Sequence, residues 1–517
     1  MARSGHAGEG EGVDDDGTGA GAGTGTGTGE EAANPSLSVA VIGSGLAGLT
    51  AAYLLRKEGT QVYLLEKSEK LGFHSASVEI PTNLPGDEKR KADGSGTGAG
   101  AGRWVVDVPM RSFQGGYYPL LIALYRHLGL RLVPTFFTFS FSRLPGSTYF
   151  IYSGASGLSV PSLPSSSFLS PIAFLRGILH FVGTAFCFLI WMGLAFLSWW
   201  DILPRPLARD NSLRELTDHV AAFLASPLPL VRIPLGGVWS RFIEEVIISL
   251  FGAVGTMTSD DIWETPVGCL LEYVHTTIGT AHYTLSPGTG ATEVADRLAD
   301  EVRAQGFGHL RLGEVITGLE YRDGKVAVQC SGSEEVIVDR VVVATQASSA
   351  RVLLGMLEQS LREQGESTER KRIKKMLRGL DDVEYRETIV VTHRDDTILP
   401  PQPDLREINL VLPLTPPRAS SDSGSETPTF SDSPTSTESS YPPTPIDGDS
   451  LARTPFFPPR HDAVYTMATH VMHPPASLRG KVAPVLQTTN PVVPIDPASV
   501  LGIARLERYV CHHQGEI

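Results

Sequence analysis

The sequence predicts an α/β protein: a parallel-sheet domain split in two along the chain, an α+β domain inserted between its halves, a disordered amino-terminal tail and a disordered insertion. Three observations carry this. Val39-Ala-Val-Ile-Gly-Ser-Gly-Leu-Ala-Gly-Leu-Thr50 reads as a buried strand, a glycine turn and a helix. Asp339-Arg-Val-Val-Val-Ala-Thr345 supplies a continuous apolar run suited to a parallel strand buried on both faces. Residues 104 to 289 separate the two, so the Rossmann-like unit is interrupted rather than continuous.

Residues 1 to 35 are almost entirely Gly, Ala, Thr and acid, without apolar periodicity, and are expected to be disordered. They form neither a signal peptide nor an Arg-rich transit peptide. Residues 36 to 103 hold the first half of the nucleotide domain: strand 38 to 42, helix 46 to 58, and strand 61 to 65 ending at Glu66. Gly43 permits the tight turn, Gly45 admits backbone N–H groups to a pyrophosphate, and Gly48 lets the helix pack on the strand. The pyrophosphate would sit at the positive end of that helix. Glu66 falls about 20 residues on, where a carboxylate accepts from ribose hydroxyls. The competing reading is a glycine-rich turn without a ligand.

A Gly- and Lys-containing insertion covers about 85 to 102, and the inserted domain then runs over 104 to 289. The second half of the nucleotide domain, 290 to 350, carries a helix over 291 to 305 and strands near 315 to 321, 325 to 329 and 336 to 345. Residues 351 to 488 continue the inserted domain. Within them 416 to 460 are rich in Ser, Thr and Pro, with Thr427-Pro428, Ser433-Pro434, Thr444-Pro445 and Thr454-Pro455; this reads as a solvated loop, with a phosphorylation switch as the alternative. Residues 489 to 517 are expected to begin a return to the nucleotide domain.

The net charge of −14 and the lack of a basic patch interleaved with aromatics exclude nucleic acid as the expected partner. Cys187, Cys269, Cys330 and Cys511 are scattered, without CxxC or Cys/His spacing, so neither a disulfide framework nor a metal site is expected, and a reducing, intracellular compartment is.

This layout resembles the flavin-containing amine oxidoreductase superfamily, and more narrowly the NAD/FAD-binding proteins found beside cyclopropane fatty acid synthases. The residues that carry the resemblance are the glycine motif, Leu71-Gly-Phe-His74, Trp104-Val-Val-Asp107 with Tyr117-Tyr-Pro119, Thr392-His-Arg-Asp-Asp-Thr-Ile-Leu-Pro400 and Thr489-Asn-Pro491. It implies a split FAD-binding domain, an inserted substrate domain and FAD as cofactor. Gly43, Ser44, Gly45, Leu46, Ala47 and Gly48 would wrap the pyrophosphate, Glu66 and Lys67 would lie at the ribose, Gly72 and His74 near the phosphates and flavin, and Val315 at the adenine. A solvated loop histidine and a buried strand valine are the alternatives for His74 and Val315. Phe73 departs from the family's paired glycines. The family's closing glycine-rich strand and helix would begin where this sequence ends, at Ile517, so a non-catalytic or truncated flavin-fold protein is the alternative function, and an NAD(P)-binding protein of another class a third.

Gly177 to Trp200 contains one ionisable residue, His180, and is long enough to cross a hydrocarbon core of about 30 Å. One crossing would place Gly43 and Asp339 on opposite sides of a bilayer although both belong to one sheet, so monotopic or hairpin attachment to the membrane is expected, with a true transmembrane helix and a fully buried core helix as the alternatives. The resemblance implies oxidation of a hydrophobic small molecule, with no catalytic residue legible because the cofactor does the redox chemistry. His393 and Asp396 are candidate polar groups near the substrate, with a surface or capping role as the alternative for His393. Tyr117, Tyr118, Phe136, Phe137, Phe139 and Phe141 are candidates for an apolar pocket or for core packing.

Overall fold

The computed structural model describes residues 37–72, 77–82, 104–108, 112–144, 148–152, 159–225, 235–286, 289–304, 306–413 and 464–510. The expected disordered stretches 1–35, 85–102 and 416–460, and Phe73, His74 and Cys511, lie outside the described residues.

The nucleotide-type unit is a four-stranded parallel sheet in the order Gly308–Leu312, Gln61–Glu66, Ser38–Ile42, Arg340–Val343. The apolar run at its centre is explained by cover on both faces. Val39 and Val41 pack with Leu49, Ala52 and Tyr53 of helix Leu46–Lys57 and with Val294 and Leu298 of helix Ala291–Arg303. Ala40 and Ile42 face the other way, onto Val328 and Val338 of a three-stranded antiparallel sheet and onto Leu353 and Leu357 of helix Ala347–Glu363.

The Val run expected as one strand over 336 to 345 is two. Val336–Val338 pairs antiparallel with Lys325–Cys330, and Arg340–Val343 pairs parallel with Ser38–Ile42. Asp339 makes the switch: its Oδ2 accepts from the Ser38 N–H (2.8 Å) and hydroxyl (2.7 Å), while its other oxygen meets Lys325 Nζ at 3.1 Å. Those partners hold its carboxyl down at about 2, the Ser38 hydroxyl foremost.

The inserted domain is built on a seven-stranded sheet in the order Val500–Tyr509, Tyr385–His393, Val485–Thr489, Met467–Met472, Ile408–Leu412, Phe139–Arg143, Thr148–Tyr152. One face carries Phe141, Phe150, Ile408, Leu410 and Ala468 against a helical layer. Phe137, Phe139 and Phe141 join that core, which favours packing over a pocket, whereas Phe136 is exposed. The last strand corrects an expectation: Val500–Tyr509 does not return to the nucleotide sheet but pairs antiparallel along its length with Tyr385–His393.

Helix Pro171–Trp199 heads the helical layer. Its Thr184, Cys187, Trp191, Leu194, Ala195 and Ser198 are buried at spacings of three and four, and a Cβ on Gly183 would lie 2.9 Å from Val238. The opposite face leaves Ile172, Leu175, Leu179, Val182 and Leu189 exposed. The helix is therefore not the fully buried core helix of the alternative: one stripe is buried and an apolar stripe faces outward. A π segment, Ile243–Ile248, interrupts the neighbouring helix; it contains the buried Glu245, whose carboxylate meets His180 Nε2 at 3.0 Å and whose carbonyl accepts from the Tyr149 hydroxyl at 2.7 Å.

Candidate functional site

At the carboxyl edge of the parallel sheet, the three glycines of the turn have three different reasons to be glycine. Gly43 sits at φ +100°, and a Cβ there would lie 2.7 Å from the Ala344 carbonyl oxygen. A Cβ on Gly48 would lie 1.9 Å from the Gly43 carbonyl oxygen, so the helix can cross the turn this closely only without a side chain. Gly45 has ordinary extended geometry, φ −64° and ψ 175°, and a Cβ there meets no atom within 4 Å. Neither conformation nor protein packing requires glycine at 45. It faces open space at the start of helix Leu46–Lys57, which has no side-chain cap and no acid in its first turn. The first N–H groups of such a helix favour an anion.

Ser44 is fully buried and organises the turn around Glu66. Glu66 Oε2 accepts from the Ser44 N–H (2.8 Å) and hydroxyl (2.7 Å), and Oε1 accepts from the Ser68 N–H (2.9 Å). The Gly72 N–H donates to Ser44 Oγ at 2.8 Å, and a Cβ on Gly72 would lie 2.3 Å from the Ser44 carbonyl oxygen, so glycine is required there too. The Glu314 N–H donates to the Glu66 carbonyl at 2.9 Å, which brings Val315 to the same edge. Val315 is 49% exposed, with its carbonyl accepting from the Ser331 N–H; it is not a buried strand residue. Lys67 is exposed beside Glu66. The glycines, Ser44, Glu66, Gly72 and Val315 thus meet at one edge, and an open cradle beside a helix start and a carboxylate fits a dinucleotide.

His393 and Asp396 lie elsewhere. His393 is fully buried on the sheet face away from the helical layer, beside Val391 in the strand's alternation; its Nε2 is 2.8 Å from the Thr488 hydroxyl, and Nδ1 accepts from the Asp395 N–H at 3.1 Å. Burial lowers its pKa to about 4. Asp396 is exposed, and the buried Asp395 instead receives the Thr397 N–H, the Thr397 hydroxyl and the Asp496 N–H. The Thr392-to-Pro400 motif folds as a turn, and His393 is not a surface residue: its ring caps that turn through the Asp395 N–H.

The face toward the helical layer carries groups that sequence reasoning missed. The pairings align Gly502, Thr392, Gln487, His470, Ile408, Phe139 and Tyr152 in one row across seven strands, polar at one end and apolar at the other. Gln487 is fully buried; its Nε2 donates to Thr392 Oγ1 at 3.2 Å, and its Oε1 has no partner. Phe137 stands edge-on to both His282 (5.3 Å) and His470 (6.3 Å), and burial lowers the pKa of His282, whose Nδ1 is also unpartnered. The signal available was a polar residue in an apolar strand, as at Thr392; strand pairing, which brings Gln487 and His470 to it, was not legible.

The family model of flavin-containing amine oxidoreductases matches residues 46–451. No curated protein matches the chain. Among solved structures, the chain is similar to an oxidoreductase from Methanosarcina mazei (12% identity, TM-score 0.44, covering 88% of this chain and 79% of that one). It is also similar to cyclohexylamine oxidase from Brevibacterium oxydans IH-35A (16% identity, TM-score 0.37, covering 69% and 66%). Because the family model spans most of the chain, from the first helix of the nucleotide-type unit into the second half of the inserted domain, the chain belongs to the flavin-containing amine oxidoreductase family and is an FAD-dependent oxidoreductase.

Proposed function

We propose that this oxidoreductase acts on a hydrophobic small molecule, at an amine or at a C–C or C–N bond, while attached to one leaflet of a membrane. In this reading Gly43 to Gly48 hold the FAD pyrophosphate and Glu66 and Lys67 the ribose end, while Gly72 and His74 approach the phosphates and flavin and Val315 contacts the adenine. The observation that supports it most is Gly45, a glycine with open space above it at an uncapped helix start. Bound FAD supplies a two-electron acceptor. The protein positions it: Ser44 and Glu66 fix the turn, while the row of Thr392, Gln487 and His470 offers hydrogen bonds beside an apolar surface.

Attachment is supported by helix Pro171–Trp199, about 43 Å long, with its apolar stripe outward and Trp199 and Trp200 exposed at one end. The nearer kinship with the proteins found beside cyclopropane fatty acid synthases rests on the sequence segments Trp104-Val-Val-Asp107 and Tyr117-Tyr-Pro119. The test is the flavin content of the purified full chain, read from visible absorbance before and after adding FAD. Yellow protein is expected; colourless protein that fails to take up FAD overturns the proposal.

A further inference from the structure

Gln487 is sealed into the seven-stranded sheet with half of its amide unused. It is fully buried; Nε2 donates to Thr392 Oγ1 at 3.2 Å, which fixes the amide plane, and Oε1 meets no donor. An amide oxygen taken out of water is costly to leave without a donor. Thr392 stands directly opposite Gln487 on one side and His470 on the other, so the three side chains are neighbours on one face. Past Thr392 that face is closed, because Gly502 follows in the row and a Cβ there would lie 2.9 Å from Val78. Past His470 it is closed again by Ile408, which is buried in the main core. His470 itself is half-buried. A half-exposed side chain between two buried ones on one sheet face marks a recess, and Gln487 forms its inner wall.

The mouth of the recess is aromatic. Phe137, also half-buried, stands edge-on to His470 at 6.3 Å and to His282 at 5.3 Å. His282 carries a second orphan: its Nδ1 is buried without a partner, and burial keeps the ring neutral by lowering its pKa. No carboxylate stands in the row Gly502, Thr392, Gln487, His470, Ile408, Phe139 and Tyr152. An ammonium ion entering here would leave water without a counter-charge, and a carboxylate would set one acceptor against another at Oε1. A hydroxyl meets neither obstacle, since it donates one hydrogen bond and carries no charge.

We propose that Gln487 accepts a hydrogen bond from the hydroxyl of an uncharged lipophilic molecule whose apolar body lies against Phe137. The inference rests on the reading of the chain as an oxidoreductase of hydrophobic molecules, and it narrows that class. Gln487 is a specificity-determining residue that favours neutral, hydroxyl-bearing molecules over ammonium ions and over acids.

The test uses the full chain in nonionic detergent at neutral pH with octanol, octylamine and octanoate as probes, binding being read by calorimetry and flavin content by visible absorbance. Wild type should bind octanol about tenfold more tightly than either charged probe, the factor expected of one satisfied buried hydrogen bond. Gln487→Met keeps the side-chain volume and removes the acceptor; it should bind octanol about tenfold more weakly with its flavin content unchanged. Gln487→Glu places a charge on the same wall and should turn the preference toward octylamine. Should neither variant fold, the order of the three probes on wild type decides. Wild type that binds octylamine or octanoate as tightly as octanol overturns the proposal, and so does a folded Gln487→Met with undiminished octanol binding. Colourless wild type that still prefers octanol would defeat the oxidoreductase reading and leave the hydroxyl site standing, whereas yellow wild type without the preference would do the reverse.

Discussion

Gly45 and Gly48 are three residues apart, and a side chain at each meets a different obstacle. At Gly48 the obstacle is the protein's own backbone, so Gly48→Ala should lower stability by about 3 kcal/mol, as seen in a urea titration. At Gly45 the protein offers none, so Gly45→Val should fold with an unchanged melting temperature as apoprotein and fail to gain stability when FAD is added. For wild type, FAD at a hundred times its dissociation constant should add about 2.7 kcal/mol. A Gly45→Val protein with normal FAD content would refute the assignment of the pyrophosphate site. The sequence announced these positions because the turn is local and each glycine's role is set within a few residues. Gln487 was illegible for the opposite reason: what matters about it is which strand lies alongside.

At the scale of elements, helix Pro171–Trp199 separates stability from attachment. Trp191 is fully buried beside Trp239, with ring centroids 6.3 Å apart, and Trp191→Ala should cost about 3–5 kcal/mol in unfolding free energy. Replacing the exposed Leu175, Leu179 and Val182 by Gln should leave the unfolding midpoint unchanged and move the protein from the membrane pellet to the supernatant in co-sedimentation with vesicles. Retention of that variant on vesicles would remove this helix as the anchor. Hydropathy alone marked the segment but could not say which stripe faces outward, because apolar residues surround the whole helix; the partners Gly183 approaches decide that.

The molecule as a whole should respond to acid through His393. Its Nδ1 accepts from the Asp395 N–H, so the ring is neutral with its proton on Nε2, donated to Thr488, and a second proton has no place without breaking a bond. The folded pKa near 4 lies below the ordinary 6.5. The unfolded state therefore takes up the proton first, and the stabilisation is complete above pH 6.5 and lost as pH falls toward 4. The loss is on the order of 3 kcal/mol. Urea midpoints measured across that window should show the slope in wild type and a shallower one in His393→Gln. The histidine stood out in the sequence, but its role did not, since the two sheet faces are told apart only once the sheet is assembled.

The bond between Ser38 and Asp339 spans 301 residues, and it closes the parallel sheet. During synthesis, at about 5–20 residues per second, the first strand waits on the order of half a minute for its partner. Helix Pro171–Trp199 leaves the ribosome well inside that interval. In the proposed leaflet attachment, its outward stripe would be free to engage lipid before the sheet exists, and the later joining of the two chain halves would be the event that holds both ends on one side of the bilayer.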